Sequence, residues 1–94
     1  MMSAQATVET SSRLTLNLDT KTIQIASLAE ARAKVMEWVR HNDISASEYG
    51  LVSGRIERDG VPYCRVSYFG KLWALDDKGR ETFREMSDDG RVAP

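Results

Sequence analysis

Ninety-four residues, 41% apolar and 29% charged, fit one compact domain, because two separate cores would need more chain. Such a chain buries roughly 60 to 65% of its unfolded surface, which argues against a large internal active-site cavity. The formal charge of −1 argues against a strongly basic nucleic-acid binder, although residues 51–84 carry seven basic against five acidic groups.

Residues 1–12 are small and polar without hydrophobic periodicity, and a disordered N-terminus is expected there. They have neither the basic start nor the apolar stretch of a secretory signal, and the longest apolar run, Leu72–Leu75, is far too short to cross a bilayer. With one cysteine, Cys64, this favours a cytoplasmic location away from membranes.

A single α+β domain is expected over residues 13–86. Leu14-Thr15-Leu16-Asn17-Leu18 alternates with period two and reads as a strand. Lys21 to Ala26 repeats the alternation through Ile23 and Ile25. A two-residue turn would set Leu16 opposite Ile23 and Leu14 opposite Ile25, so the two runs form a hairpin. Ser27 and Glu30 have capping-box spacing, the Ser hydroxyl serving the Glu30 amide and the carboxylate the Ser27 amide. Apolar residues at Leu28, Ala31, Val35, Met36 and Val39 then predict an amphipathic helix to His41, ended by Asn42 and Asp43. Ser45 to Glu48 offers a second cap and one helical turn before Gly50.

From Leu51 to Asp76 the pattern predicts a three-stranded meander. Ile56, Cys64 and Val66 share a face if the first connection is an odd loop, Arg58-Asp59-Gly60. A two-residue Phe69-Gly70 turn would then set Val66 opposite Trp73 and Cys64 opposite Leu75. Tyr63, Arg65, Ser67, Leu72 and Ala74 fall on the other face. Asp76 to Gly79 is a turn, Arg80 to Met86 favours a short helix over a sixth strand, and residues 87–94 are expected to be a disordered tail. No internal repeat stands out. The element order ββαβββ places strand three beside strand one, giving a two-layer fold. Its antiparallel sheet has the order 2-1-3-4-5, with one helix packed on one face.

No motif carries chemistry. His41, the only histidine, sits at a predicted helix end where the dipole favours positive charge. Cys64 falls on the inner sheet face as a small apolar group. Asp76-Asp77 and Asp88-Asp89 lie in a turn and a tail, with too few oxygen ligands for a metal. The expectation is therefore no enzyme, no catalytic residue, no metal and no cofactor. The one cluster with some specificity is basic and aromatic: Arg55, Arg58, Tyr63, Arg65 and Lys71, with Tyr63 and Arg65 the best exposed pair.

Ser27-Leu28-Ala29-Glu30-Ala31, the Ser45-Ala46-Ser47 stretch and Arg65-Val66-Ser67-Tyr68-Phe69-Gly70-Lys71-Leu72-Trp73 resemble short, uncharacterised proteins encoded on bacterial plasmids and integrative elements. The resemblance covers roughly residues 14 to 76. In that group the second turn is Asn-Gly, where this chain has Phe69-Gly70. The resemblance implies an accessory gene of a mobile element, and it assigns no activity or functional residue. The expected function is a small interaction or accessory module that binds a protein partner or a second copy of itself through an exposed sheet face or edge. Strands two and five would be the free edges. The alternative is a nucleic-acid-binding regulator using the meander 51–76.

Overall fold

The computed structural model describes residues 13–18, 21–50 and 53–93. The expected N-terminal disorder at 1–12 lies outside the described residues. The domain is α+β, with one main helix against a six-stranded antiparallel sheet in the order β2-β1-β3-β4-β5-β6. β1 (Leu14–Leu18) and β2 (Lys21–Ile25) pair with Leu14 opposite Ile25 and Leu16 opposite Ile23. This is the register that buries both apolar alternations on one face, and a slip of one residue would turn Leu16 to solvent.

Helix α1 (Leu28–His41) starts at Ser27, whose Oγ accepts from the Glu30 amide at 3.1 Å. The reciprocal half of the expected box is displaced by one residue: the Glu30 carboxylate accepts from the Ala26 amide at 2.7 Å. At the other end Asp43 takes a left-handed conformation. The Ile44 amide reaches back to the Val39 carbonyl and that of Asp43 to Arg40, satisfying carbonyls the last turn would otherwise leave open. Helix α2 (Ala46–Tyr49) has a complete capping box between Ser45 and Glu48. Hydrogen bonding of the carboxylate to Ser45, through the backbone N–H first and the side chain second, holds the Glu48 carboxyl below its ordinary pKa.

The meander departs from expectation in both turns. β3 (Arg55–Arg58) joins β4 (Val61–Val66) through Asp59 and Gly60 alone, both at positive φ, as a tight twisted turn requires. Ile56 still faces Cys64, because Tyr63 is inserted as a bulge between Glu57↔Pro62 and Ile56↔Cys64. The expected shared face survives through the bulge instead of the odd loop. Between β4 and β5 (Leu72–Leu75) the turn takes three residues, Tyr68 to Gly70, and Val66 faces Leu72, not Trp73. That one-residue change exchanges the faces of β5: Leu72 and Ala74 join the core and Trp73 turns outward.

Glu81 to Met86 is the strand β6, paired with β5, not a helix. The expected disordered tail also has a structure: Ser87 to Gly90 turn back, and Val92 bridges Met86. Three turns therefore share one design at Ser67–Lys71, Asp76–Arg80 and Ser87–Arg91. In each, the first residue's amide bonds to the fifth residue's carbonyl, and the amide of a fourth-position glycine bonds back to the first. Those glycines have φ of 89°, 82° and 89°. The pattern Ser/Asp-x-x-Gly-Lys/Arg is a repeat visible in the sequence, too short and too unevenly spaced to register as a period.

The core lies between α1 and the sheet. Leu28, Ala31 and Val35 meet Leu16, Leu18, Ile25, Ile56, Cys64, Val66 and Leu72, with Met86 closing the far side. Burying a side chain such as Leu16 or Ile56 contributes roughly 1.5–3 kcal/mol.

Candidate functional site

On the sheet face opposite α1, one row of cross-strand partners spans all six strands: Thr22, Asn17, Arg55, Arg65, Trp73 and Glu85. Arg55 and Arg65 stand directly opposite each other, a like-charge pair that costs stability unless the heads diverge. They do diverge. Arg65 is 9% exposed; its Nε donates to the Ser53 carbonyl at 3.0 Å and its Nη2 to the Gly50 carbonyl at 2.6 Å. Its guanidinium lies 5.3 Å from the Tyr49 ring centroid, on the electron-rich face. Arg55 turns the other way and donates to the Gly79 carbonyl in the β5–β6 turn.

The expected exposed pair of Tyr63 and Arg65 is therefore corrected. Arg65 is a buried structural cation that ties the segment after α2 to the sheet. Tyr63, on its bulge, pairs instead with Arg58, whose guanidinium lies 5.2 Å from the ring. These two line an open groove of about 380 Å³ with Leu14, the start of α1 and the turn at Asp88 to Gly90. Lys71 is exposed at the first of the three repeated turns, beyond the end of β4. Of the five residues singled out in the sequence, the fold brings together only Arg58 and Tyr63, and Arg55 opposite Arg65.

Tyr49, unmarked in the sequence, organises this region. Its ring packs with Trp38 and Tyr68 at centroid distances of 6.1 and 5.8 Å, and its buried hydroxyl donates to the Val66 carbonyl. Burial raises its pKa to about 12, against the opposing pull of the Arg65 cation. Cys64 is fully buried, and burial pushes its thiol up to about 12, so it is a poor nucleophile in the folded chain. His41 is exposed at the end of α1, in a groove with Leu18, Ile23 and Trp38. Among the described residues no three His, Cys, Asp or Glu side chains group to hold a metal, and no helix is long and apolar enough to cross a membrane.

The feature that sequence reasoning missed is Phe83. Between Trp73↔Glu85 and Leu75↔Glu81, three residues of β6 oppose the single residue Ala74, so the strand bulges outward. Thr82 bridges the gap: its hydroxyl donates to the Ala74 carbonyl at 2.8 Å and accepts from the Arg84 amide at 3.3 Å. Phe83 sits at the crest with φ +59° and is 83% exposed. Among the described residues it is the only one other than glycine and aspartate at positive φ. β6, not β5, is the second sheet edge, and its C-terminal end is already occupied by Val92 and Ala93. A sequence signal existed in Glu-Thr-Phe-Arg-Glu, an aromatic among charges, but the helical spacing of Phe83 and Met86 concealed it. Comparison of the chain with protein-family models, with curated proteins and with solved structures finds no match.

Proposed function

We propose that this protein is a small non-enzymatic interaction module that docks on a protein partner through the bulged edge strand β6, with Phe83 as the anchor. The observation that carries this reading is the strained, protruding Phe83. A left-handed conformation costs a residue of this kind about 1–2 kcal/mol, and full exposure of a phenyl ring returns nothing to the fold. Aromatic anchors that fill a partner's pocket dominate the energy of many interfaces. The charged neighbours Glu81, Arg84 and Glu85 supply a polar rim around it. An accessory role of this kind accords with the resemblance to short proteins of plasmids and integrative elements.

The nucleic-acid alternative has less support. It draws on Arg55, Arg58, Arg65 and Lys71, and two of those four guanidinium or ammonium groups bond to backbone carbonyls of the chain itself. A photo-crosslinking phenylalanine analogue at position 83, in the cells that make the protein, tests the docking reading. It should give a discrete protein adduct that excess unlabelled wild-type chain suppresses and the Phe83→Asn chain does not. Adducts identical to those from the same analogue at exposed Lys78 would refute it.

A further inference from the structure

We propose that a second copy of this chain binds at the β2 edge, forming a two-fold dimer in which β2 pairs antiparallel with its counterpart and the two α1 helices lie side by side. This goes beyond the β6 docking reading and does not rest on it. The two stand apart experimentally, since Phe83 lies on β6 at the opposite edge of the sheet.

Three observations converge on β2. First, among the described residues the edge is open: β2 pairs there only with β1, and its five residues carry no proline and no bulge. Counting the alternation of an antiparallel ladder from the closing pair Leu18↔Lys21, Thr22 and Gln24 turn their N–H and C=O groups outward. A two-fold axis at Ile23 sets Thr22 opposite Gln24 of the second copy and Gln24 opposite Thr22, making four main-chain hydrogen bonds. Second, beside Ile23 a groove of about 280 Å³ runs between β1–β2 and α1, with Leu18, Ile23 and Trp38 in it and Lys34, Glu37 and His41 along the helix. Ile23 of the second copy would lie at its mouth.

Third, the helix stripe facing that groove is self-complementary. Glu30, Lys34, Glu37 and His41 follow three-four spacing on one side of α1. Laid antiparallel against itself, this order places Lys34 against Glu37 and Glu30 against His41, each twice. The centre of that pattern falls between Lys34 and Glu37, and both residues share the groove with Ile23, the centre of the strand register. The strand register and the helix pattern therefore centre on the same groove. Among the described residues the ion-pair partner of Lys34 is a loose one, Glu30 at 4.0 Å, which leaves its ammonium able to re-pair.

Sedimentation velocity of the full chain from micromolar to millimolar concentration should show a monomer–dimer equilibrium. Lys34→Glu and Glu37→Lys should each weaken it by about tenfold or more, because both copies of the pair become repulsive. An equimolar mixture of the two variants should restore the dimer, since both contacts between positions 34 and 37 are then Glu against Lys. Gln24→Pro removes an outward N–H without touching the β1 ladder and should weaken the dimer as strongly. Circular dichroism melts confirm that each variant is folded. A wild-type chain that stays monomeric to millimolar concentration overturns the proposal, as does a mixture that associates no better than either variant alone. The first result would leave the edge to a strand of another protein.

Discussion

Arg65 separates a binding cation from a structural one, and its replacement gives opposite results in the two cases. Arg65→Met keeps most of the apolar stem but removes both donors, leaving the Ser53 and Gly50 carbonyls without them. Hydrogen bonds from a charged donor contribute about 1.5–3 kcal/mol each, and a partly desolvated guanidinium over a ring adds about 1 kcal/mol. The desolvation cost of burying the cation offsets part of this, since no carboxylate pairs with it among the described residues. The net loss should be about 2–4 kcal/mol, a large share of the roughly 5–14 kcal/mol expected for a domain of this length. Urea titration followed by tryptophan fluorescence should show the midpoint falling by about 1–2 M at unchanged slope. Arg65→Lys keeps the charge without the planar fork and should lose about 1–2 kcal/mol. Arg65→Met within about 0.5 kcal/mol of wild type would refute the structural role and return Arg65 to the binding surface.

Gly54 has φ +80°, and a Cβ there would collide with the Tyr49 hydroxyl and the Val66 carbonyl; Gly54→Ala should therefore cost at least about 3 kcal/mol and lower Tm by more than 10 °C in a calorimetric scan. Phe83→Asn, which tolerates the left-handed conformation and gives up little burial, should raise stability by about 0.5–1 kcal/mol, and a loss of stability would contradict the assigned strain. Cys64 should react with a thiol reagent at pH 8 at least about 100-fold more slowly in the native chain than in urea. Both raised pKa values also predict alkaline unfolding. Cys64, ordinarily near 9, and Tyr49, ordinarily near 10, are each held protonated in the fold to about 12. Their contribution is fully present below pH 9 and lost as pH rises from about 9 to 12, so denaturant midpoints should fall steeply across that window.

The hairpin β1–β2, the helix with its Ser27 N-cap, and the placement of β3 beside β1 were legible in the sequence, although the Glu30 carboxylate caps the Ala26 amide and not that of Ser27. Each rests on a strict apolar period or a capping residue whose chemistry is local. What escaped was register within the meander. Asp59-Gly60 forms the tighter turn and Tyr63 takes up the extra residue as a bulge, two changes whose effects on the facing of Cys64 cancel. At the next turn nothing cancels, and Trp73 exchanges faces with Leu72. Arg65 looked like surface because its burial depends on carbonyls at Gly50 and Ser53, groups that every residue carries and no pattern reveals. Phe83 was misread for a different reason: a left-handed residue inside a strand breaks the alternation by which strands are recognised.

The sheet also sets an order of assembly. β3 to β6 join through near neighbours, each closed by a turn of two or three residues that Gly60, Gly70 or Gly79 makes locally favourable. β1 meets β3 only across long sequence separations, from Asn17 opposite Arg55 and Leu14 opposite Arg58 to Arg13 with Asp59, 46 residues apart. Closing so long a loop dominates the entropic barrier, and ladders with such separations slow folding. The C-terminal meander should therefore be the earliest native-like unit on the folding pathway, with docking of the N-terminal hairpin and helix as the slow step.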